Sequence, residues 1–443
     1  MKVSIVGTGY VGLVSGVCLA DKGHEVTCVD VDAAKVDRIK RGEPPIYEKG
    51  LAELLRRHVG VKLRATTDLV QAVMDSELTL IAVGTPFDGS EIDLRYVRQA
   101  AMDIGAVLRN KPGYHVVIVK STVVPGTTEE VVLPALEQSS GKRAGADFGV
   151  GMNPEFLKEG EAIADFMLPD RIVLGGIDDR TLDALKQLYS GFGGVEMLRT
   201  NPRTAEMIKY AANSLLATLI SFSNEIGNLC AKVGVDVVEA MRGVHLDKRF
   251  SPILPDGKRV SPAFLSYLAA GCGFGGSCFP KDVKALVVHG ERAGTPMRIL
   301  RAVTELNQLQ PARMIELLKR HYPSLAGLKV AVLGVAFKPG TDDIRESPAL
   351  PVIQTLLDEQ ADVRAFDPTA REEAEKVLKH SVTFVDDVEQ AVTGVDAVLI
   401  MTRWDHFREV PRLIERQANP PLVVDGRRML DKHSVPRYEG IGL

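Results

Sequence analysis

Residues 2–12, K-V-S-I-V-G-T-G-Y-V-G, constrain the fold more tightly than any other stretch of the 443-residue chain. K-V-S-I-V predicts a buried strand, and Gly7, Gly9 and Gly12 follow it in the spacing G-x-G-x-x-G. Residues 11–20 continue as an apolar helix, Gly23 stops it, and H-E-V-T-C-V-D predicts a second strand closing at Asp30. A lone glycine triplet says little. In a strand–turn–helix–strand setting, with an acid about 20 residues on, it specifies a dinucleotide turn. The glycines let backbone N–H groups approach a pyrophosphate, and the helix N-terminus points at negative charge. Asp30 would accept hydrogen bonds from ribose hydroxyls and repel a 2′-phosphate, so NAD is expected rather than NADP.

The α/β alternation continues to Thr200, with strands predicted at 78–83, 115–119, 148–151 and 171–175. Three of them run into G-T-P-F-D, K-S-T-V-V-P-G-T and M-N-P-E-F-L-K-E-G. In a parallel sheet, loops at strand carboxyl ends face the ligand crevice, so Thr85, Lys120, Ser121, Thr122, Glu155 and Glu159 should gather on the cofactor side. Glu155 and Glu159 would share a helical face if the chain is helical from Phe156 onward. Residues 203–233 carry apolar side chains at helical spacing, a length suited to a spine between domains or a dimer contact. Lys209 and Asn213 lie on one face of that helix and, taken as residues, read as solvated. The Pro-, Lys- and Arg-rich run 243–261 predicts a loop suited to clamping an anionic ligand.

Chemistry concentrates in G-C-G-F-G-G-S-C-F-P-K-D, residues 271–282. Glycines allow close approach to a ligand, Lys281 would favour a thiolate at Cys278, and Asp282 could hold water for a later hydrolysis. An inert cysteine in a glycine turn is the competing reading; Gly, Cys, Lys and Asp together in one loop favour the reactive one. A helix is expected around 284–293. Residues 328–335 then begin a second strand–loop–helix–strand unit ending at Asp367, with later strands at 397–401 and 422–424. It lacks the glycine fingerprint, so a mononucleotide is expected there, with Lys338, Arg345 and Arg427 offering charge.

A chain of this length exceeds one core, and three parts are expected: residues 1–200, 201–310 and 311–443. The net charge of −4 and a single tryptophan give no footing for nucleic acid. Five cysteines, Cys18, Cys28, Cys230, Cys272 and Cys278, form no disulfide framework or zinc spacing and fit a reducing compartment. Cys18 and Cys28 fall in apolar patterns and belong to the core. No metal site is expected. Without an apolar run that could span a bilayer or a charged leader, the expectation is a cytoplasmic protein.

The chain resembles the UDP-glucose/GDP-mannose dehydrogenase family over nearly its whole length, nearest to members that oxidise UDP-glucose. The resemblance rests on V-G-T-G-Y-V-G, Y-E-K-G-L, G-T-P, K-S-T-V-V-P-G-T, N-P-E-F-L-K-E-G, A-E-M-I-K-Y-A-A-N, G-F-G-G-S-C-F-P-K-D, F-K-P-G-T-D-D-I-R-E-S-P and D-G-R-R. It implies an N-terminal Rossmann domain, a central long-helix spine and a C-terminal Rossmann-like domain, with substrate between the outer domains. It also implies oxidation of a sugar C6 hydroxymethyl group to a carboxylate by two NAD⁺, through a thiohemiacetal and thioester on Cys278. Lys209 and Asn213 match residues that hold the oxyanion, and Thr122, Glu155 and Asp282 match groups that position water and move protons. Gly7, Gly9, Tyr10, Val11, Gly12, Asp30, Lys35, Thr85, Thr122, Glu159, Lys281 and Arg345 match the cofactor set. Glu155, Phe156, Leu157, Lys209, Asn213, Phe274, Gly275, Phe337, Lys338 and Arg427 match the substrate set. Arg249 or Arg259, preferably Arg259 in R-V-S-P-A-F-L, matches an arginine reaching a neighbouring subunit's substrate. A homodimer through the central helix is implied. Val124 stands where the family more often has Pro, and the segment before the cysteine loop is longer than usual. Another nucleotide sugar (GDP-mannose or a UDP-hexosamine) and a non-catalytic NAD- or nucleotide-binding protein are the rival readings.

Overall fold

A computed structural model describes residues 1–379 and 381–443. They form two compact units, residues 1–212 and 213–443. In the first, strands β1 (Lys2–Val6), β2 (Glu25–Val29), β3 (Leu63–Thr66), β4 (Leu78–Ile81), β5 (His115–Val119), β6 (Phe148–Met152), β7 (Arg171–Gly176) and β8 (Glu196–Thr200) make one sheet. Their order is β3-β2-β1-β4-β5-β6-β7-β8. The chain therefore reverses direction of travel at β1, and the crevice beside it is where a doubly wound sheet takes its ligand. β4 (L-T-L-I) and β5 (H-V-V-I-V) are buried on both faces, their mainly apolar runs broken only by Thr79 and His115, which bond each other at 2.7 Å. Leu78, Leu80, Val116 and Ile118 pack into one core layer, Ile81, Val117 and Val119 into the other. Burying each such side chain contributes about 1.5–3 kcal/mol. Cys18 and Cys28 are fully buried in the first of these layers.

The sheet is not wholly parallel: β6 and β7 pair antiparallel, which reverses β7 and β8. β3 and β8 were not expected from sequence. β8 reads E-M-L-R-T and lies at the sheet edge with no fully buried residue, so it lacks an apolar signal. The three strands with polar exits, β4, β5 and β6, are mutually parallel. Their loops leave the same edge.

The long helix, Pro202–Val233, has 32 residues and runs from the first unit into the second. Near its start the buried carboxylate of Glu206 accepts from Gly126 N at 2.6 Å, Thr128 N at 2.8 Å and Thr128 Oγ1 at 2.6 Å. One side chain thus fastens the loop after β5 to the helix. Lys209 and Asn213 are buried, 3 % and 7 % exposed, which overturns the solvated reading. Helical spacing gives a shared face; only the tertiary fold decides whether that face meets water.

In the second unit, β9 (Lys329–Leu333), β10 (Asp362–Phe366), β11 (Thr383–Phe384), β12 (Ala397–Ile400), β13 (Leu422–Asp425) and β14 (Tyr438–Gly440) form a parallel sheet. The order is β11-β10-β9-β12-β13-β14. β11 and β14 are too short to show a pattern in sequence. The helix Val237–His245 takes the first residues of the run 243–261, and the rest is irregular apart from an Ile253–Arg259 bridge. The helix expected around 284–293 begins earlier, as Phe279–Arg292, because Pro280 suits its first turn.

Glu206 yields a stability test. Glu206→Gln sets an amide NH₂ against one of the three donors it now accepts, and should cost roughly 1–3 kcal/mol. The urea midpoint should fall accordingly, while Glu129→Gln, on the exposed partner of Arg203, should stay within about 0.5 kcal/mol. Equal midpoints for the two variants would remove the anchoring role.

Candidate active site

The glycine turn is held by Asp30. Its Oδ2 accepts from Thr8 N at 2.8 Å and Thr8 Oγ1 at 2.6 Å, and Oδ1 accepts from Asp32 N at 3.0 Å. Burial alone would raise this carboxyl; the hydrogen bonds from Thr8 and Asp32, with Lys35 nearby, hold it below the usual range. A Cβ at Gly12 would run into the Gly7 carbonyl, whereas beside Gly9 no heavy atom lies within 4 Å. Gly9 caps the helix Tyr10–Asp21. The turn therefore packs tightly on one side and leaves room for a phosphate on the other, at a helix N-terminus. These residues fit a dinucleotide pyrophosphate. Val11 is partly buried in that helix, and Lys35 is exposed on the helix Ala33–Lys40. Thr85 Oγ1 donates to the Thr122 carbonyl at 2.9 Å and Ser121 Oγ to the Val83 carbonyl at 2.7 Å, tying the exits of β4 and β5 together.

Beyond β6, residues 153–158 take no regular structure and 159–161 form a turn, so Glu155 and Glu159 do not share a helical face; the next helix is Ala162–Met167. Pro154 and the side-chain bond from Leu157 N to Glu155 Oε2, 2.7 Å, replace the helical pattern. Glu155 Oε1 meets Lys209 Nζ at 2.7 Å, with the two side chains 5 % and 3 % exposed. Burial would raise the Glu155 carboxyl, but the Lys209 ammonium and the Leu157 N–H keep it below the ordinary carboxylate range. The Phe156 ring takes the Arg171 guanidinium at 3.9 Å and the Lys209 ammonium at 5.6 Å. Glu159 is buried. Glu48 ties this loop to the glycine turn: it accepts from Gly160 N at 2.7 Å, from Ala162 N at 3.0 Å, and from the Tyr10 hydroxyl.

In the second unit Cys278 is partly exposed, outside any disulfide, and immediately precedes the helix Phe279–Arg292. Asp282 N donates to the Cys278 carbonyl at 2.8 Å, closing the first turn. A thiol at a helix N-terminus is in the setting that favours thiolate. Ser277 Oγ lies 3.6 Å from its sulfur. Asp282 is 1 % exposed. It accepts from Asn213 Nδ2 at 2.7 Å and pairs with Lys281 Nζ at 2.5 Å.

The glycine–cysteine loop is framed by amides. Asn224 Oδ1 accepts from Gly271 N at 2.8 Å, Gln310 Nε2 donates to the Gly271 carbonyl at 2.9 Å, and Asn307 bonds both the N–H and the carbonyl of Phe274. Arg427 donates Nη1 to the Gly273 carbonyl at 2.8 Å and Nε to the Met401 carbonyl at 2.6 Å. Its buried Nη2 has no hydrogen-bond partner among the described residues. Gly276 has φ of +87°, and a Cβ there would sit 2.7 Å from the Phe337 ring, so only glycine serves. Gly275 is equally crowded, against the Glu346 carbonyl. Lys338 Nζ lies 5.7 Å over the Phe337 ring.

Thr122 and Leu157 are partly buried, and three predicted arginines are on the surface. Arg345 is exposed and pairs with Asp343 at 2.8 Å. Arg259 is exposed and donates to the carbonyls of Leu246 at 2.7 Å and Ser251 at 2.9 Å, while Arg249 pairs with Asp247. Sequence reasoning assigned no role to Glu48, Asn224, Asn307 or Gln310. Glu48 carried a signal, as the acid of Y-E-K-G-L; the three amides, on long helical stretches, carried none.

The chain matches three family models. Residues 1–193 match "UDP-glucose/GDP-mannose dehydrogenase family, NAD binding domain", 203–309 the same family's central domain and 331–432 its UDP binding domain. Among curated proteins, a UDP-glucose 6-dehydrogenase of Haloferax volcanii is 41% identical, covering 100% of both chains. A GDP-mannose 6-dehydrogenase of Pseudomonas syringae is 38% identical over 97% of this chain and 95% of its own. A solved UDP-glucose dehydrogenase from Pyrobaculum islandicum superposes with a TM-score of 0.89 at 41% identity, over 99% of this chain and 97% of that one. The first unit thus carries an NAD binding domain.

Asp30→Ala should raise KM for NAD⁺ about tenfold, the loss of a charged hydrogen-bond acceptor. It should also narrow the preference over NADP⁺ in kcat/KM. An unaltered ratio between the two cofactors would take the ribose away from Asp30.

Proposed function

Since the chain belongs to the UDP-glucose/GDP-mannose dehydrogenase family of NAD-dependent nucleotide-sugar dehydrogenases, we propose that it oxidises UDP-glucose to UDP-glucuronate with two NAD⁺ per sugar. One observation carries the reading: a partly exposed Cys278 at a helix N-terminus, one turn from a buried Asp282 that is bound to Asn213. A single alcohol oxidation needs no thiol. An aldehyde has no second hydride to give until a nucleophile adds to it.

Bound NAD⁺ supplies the hydride acceptor. The C6 alcohol loses a proton and a hydride to become an aldehyde. The Cys278 thiolate then adds to that carbon, and the oxyanion takes its hydrogen bonds from Lys209 and Asn213. Lys209 is held by Glu155 and Asn213 by Asp282, so an ammonium and an amide, both N–H donors, are fixed for that role. Loss of a second hydride leaves a thioester on Cys278, and water releases the carboxylate and the thiol. Thr122, Glu155 and Asp282 are the groups that hold water and move protons in these steps. In this reading Glu159 and Thr122 serve the nicotinamide, and Lys281 and Arg345 also bind the cofactor. In the same reading Phe156, Leu157, Phe274, Gly275, Phe337, Lys338 and Arg427 bind the nucleotide sugar, and Arg259 reaches the substrate of a neighbouring subunit. The functional division is residues 1–200, 201–310 and 311–443.

UDP-glucose is preferred because the 41% relatives bear that name, although a GDP-mannose enzyme at 38% is close behind. The reading includes a homodimer through the long helix. Leu215, Phe222, Leu229 and Val233 are 60 %, 48 %, 58 % and 61 % exposed, at the spacing of one helical stripe.

Purified protein should yield two NADH per UDP-glucose consumed; one would make it a simple alcohol dehydrogenase. A nucleotide-sugar panel should give the highest kcat/KM for UDP-glucose, and a higher value for GDP-mannose or a UDP-hexosamine would move the assignment there. Cys278→Ser should lose net turnover by at least about 10³-fold while still binding NAD⁺. Full turnover in that variant would leave only a binding protein or a thiol-free mechanism. Sedimentation as a monomer would remove the dimer.

A further inference from the structure

Lys120, at the exit of β5, is 4 % exposed, and among the described residues no carboxylate lies within ion-pair distance of its ammonium. Its Nζ donates to Asn153 Oδ1 at 2.7 Å and lies 3.4 Å from the Tyr189 hydroxyl. The rings of Phe166 and Tyr189 flank it, each centroid 5.9 Å away. The charged and titratable groups facing it are Glu155, Lys209 and Tyr189. Burial pushes its pKa down to about 7, Glu155 opposing and Lys209 adding to the fall.

Such a charge does not serve stability well. A buried ammonium answered only by an amide, a phenol and two ring faces costs several kcal/mol of desolvation. An apolar side chain of the same length would fill the space, and Asn153 Oδ1 would keep its bond from Tyr189, at 2.5 Å. The position of the charge suggests its use. Asn153 Nδ2 donates to the Val173 carbonyl at 2.8 Å, and its backbone N–H to the Val119 carbonyl at 2.9 Å. One amide joined to Lys120 therefore fixes the exit of β6 against β5 and β7, two residues before Glu155. The field of Lys120 also acts on Glu155 in the same sense as that of Lys209.

We propose that Lys120 is a positioning residue, a second buried cation behind Glu155. It keeps that carboxylate ionised when Lys209 turns its donors to substrate, and through Asn153 it sets the backbone that presents Glu155. The proposal rests on the reading above only for the identity of the substrate. Its direct readout needs no turnover.

The test compares Lys120→Met and Lys120→Arg with the parent enzyme. The ¹³C-carboxyl signal of Glu155, identified by its loss in Glu155→Gln, is titrated in the absence of cofactor and sugar. The pH profile of kcat/KM for UDP-glucose is recorded alongside. In Lys120→Met the Glu155 midpoint and the acid limb of the profile should both move up by about one pH unit, the direction expected when a nearby cation is removed. Lys120→Arg should keep both near the parent values, and KM for NAD⁺ should stay within about twofold in each. An unmoved Glu155 midpoint in a folded Lys120→Met protein would overturn the proposal. So would failure of Lys120→Met to fold, which would make the lysine a structural part. A shifted midpoint in a protein that oxidises no nucleotide sugar would uphold the proposal and remove the substrate assignment instead.

Discussion

Glu155 and Lys209 are both taken almost wholly out of water, and their 2.7 Å contact is the interaction on which the first unit's site depends. Desolvating either charge costs several kcal/mol, which the contact between them offsets, so each helps to fix the other. That requirement reaches into the architecture. Glu155 must leave β6 in a non-helical chain, which Pro154 favours and the Leu157 N–H bond to its carboxylate holds. Lys209 must sit near the start of a helix whose register is pinned, and Glu206, one turn earlier, pins it by taking three donors from the loop after β5. Loop, strand exit and helix are therefore positioned together. The same loop carries Thr122, and the same helix carries Asn213 one turn further on.

The two sheets show how a shared topology takes different ligands. In each, an aspartate at the end of the second strand holds the loop that follows the first. Asp30 takes three donors and is only partly buried, so its oxygens retain capacity for a further hydrogen bond. Asp367 is 5 % exposed and accepts from Val335 N, Ala336 N, Thr369 N and Ala370 N, with Trp404 Nε1 at 3.4 Å. Nothing of it is left over for a ribose. With G-V-A-F-K-P in place of a glycine triplet, the second loop cannot accept a pyrophosphate as the first does. This agrees with the separate NAD and UDP binding domains of the family models.

What could be read from the residues follows a physical divide. Local periodicity announced the central strands of both sheets, the helix beginning at Tyr10 and the long helix to Val233, though not β3, because burial on a regular element leaves a regular pattern. The failures came where neighbours decide. β8 at the edge carries no apolar alternation, β7 reverses without any local mark, and the chain 155–159 spaces its acids like a helix while Pro154 and the bond from Leu157 N to Glu155 keep it irregular. Lys209 and Asn213 looked solvated because nothing in a helical repeat distinguishes a face turned to water from one turned to a buried carboxylate. Glu48 and the amides of Asn224, Asn307 and Gln310 act through bonds to distant backbone, which no single-sequence pattern encodes.

The cysteine loop joins these two kinds of information. Its glycines were legible in the sequence, and the structure gives one of them its reason: Gly276 adopts a positive φ beneath the Phe337 ring, where no other residue could follow that path. Composition could not say what keeps so glycine-rich a segment in one shape. Three amide side chains and the Arg427 guanidinium grip its backbone at Gly271, Gly273 and Phe274, and Asp282 closes the helix onto Cys278. Chain entropy that glycine would otherwise retain is removed by bonds from outside the loop, so a flexible sequence becomes a rigid seat for the thiol. The conformation of the loop before Cys278 is thus set by residues as far along the chain as Arg427 as much as by the motif itself.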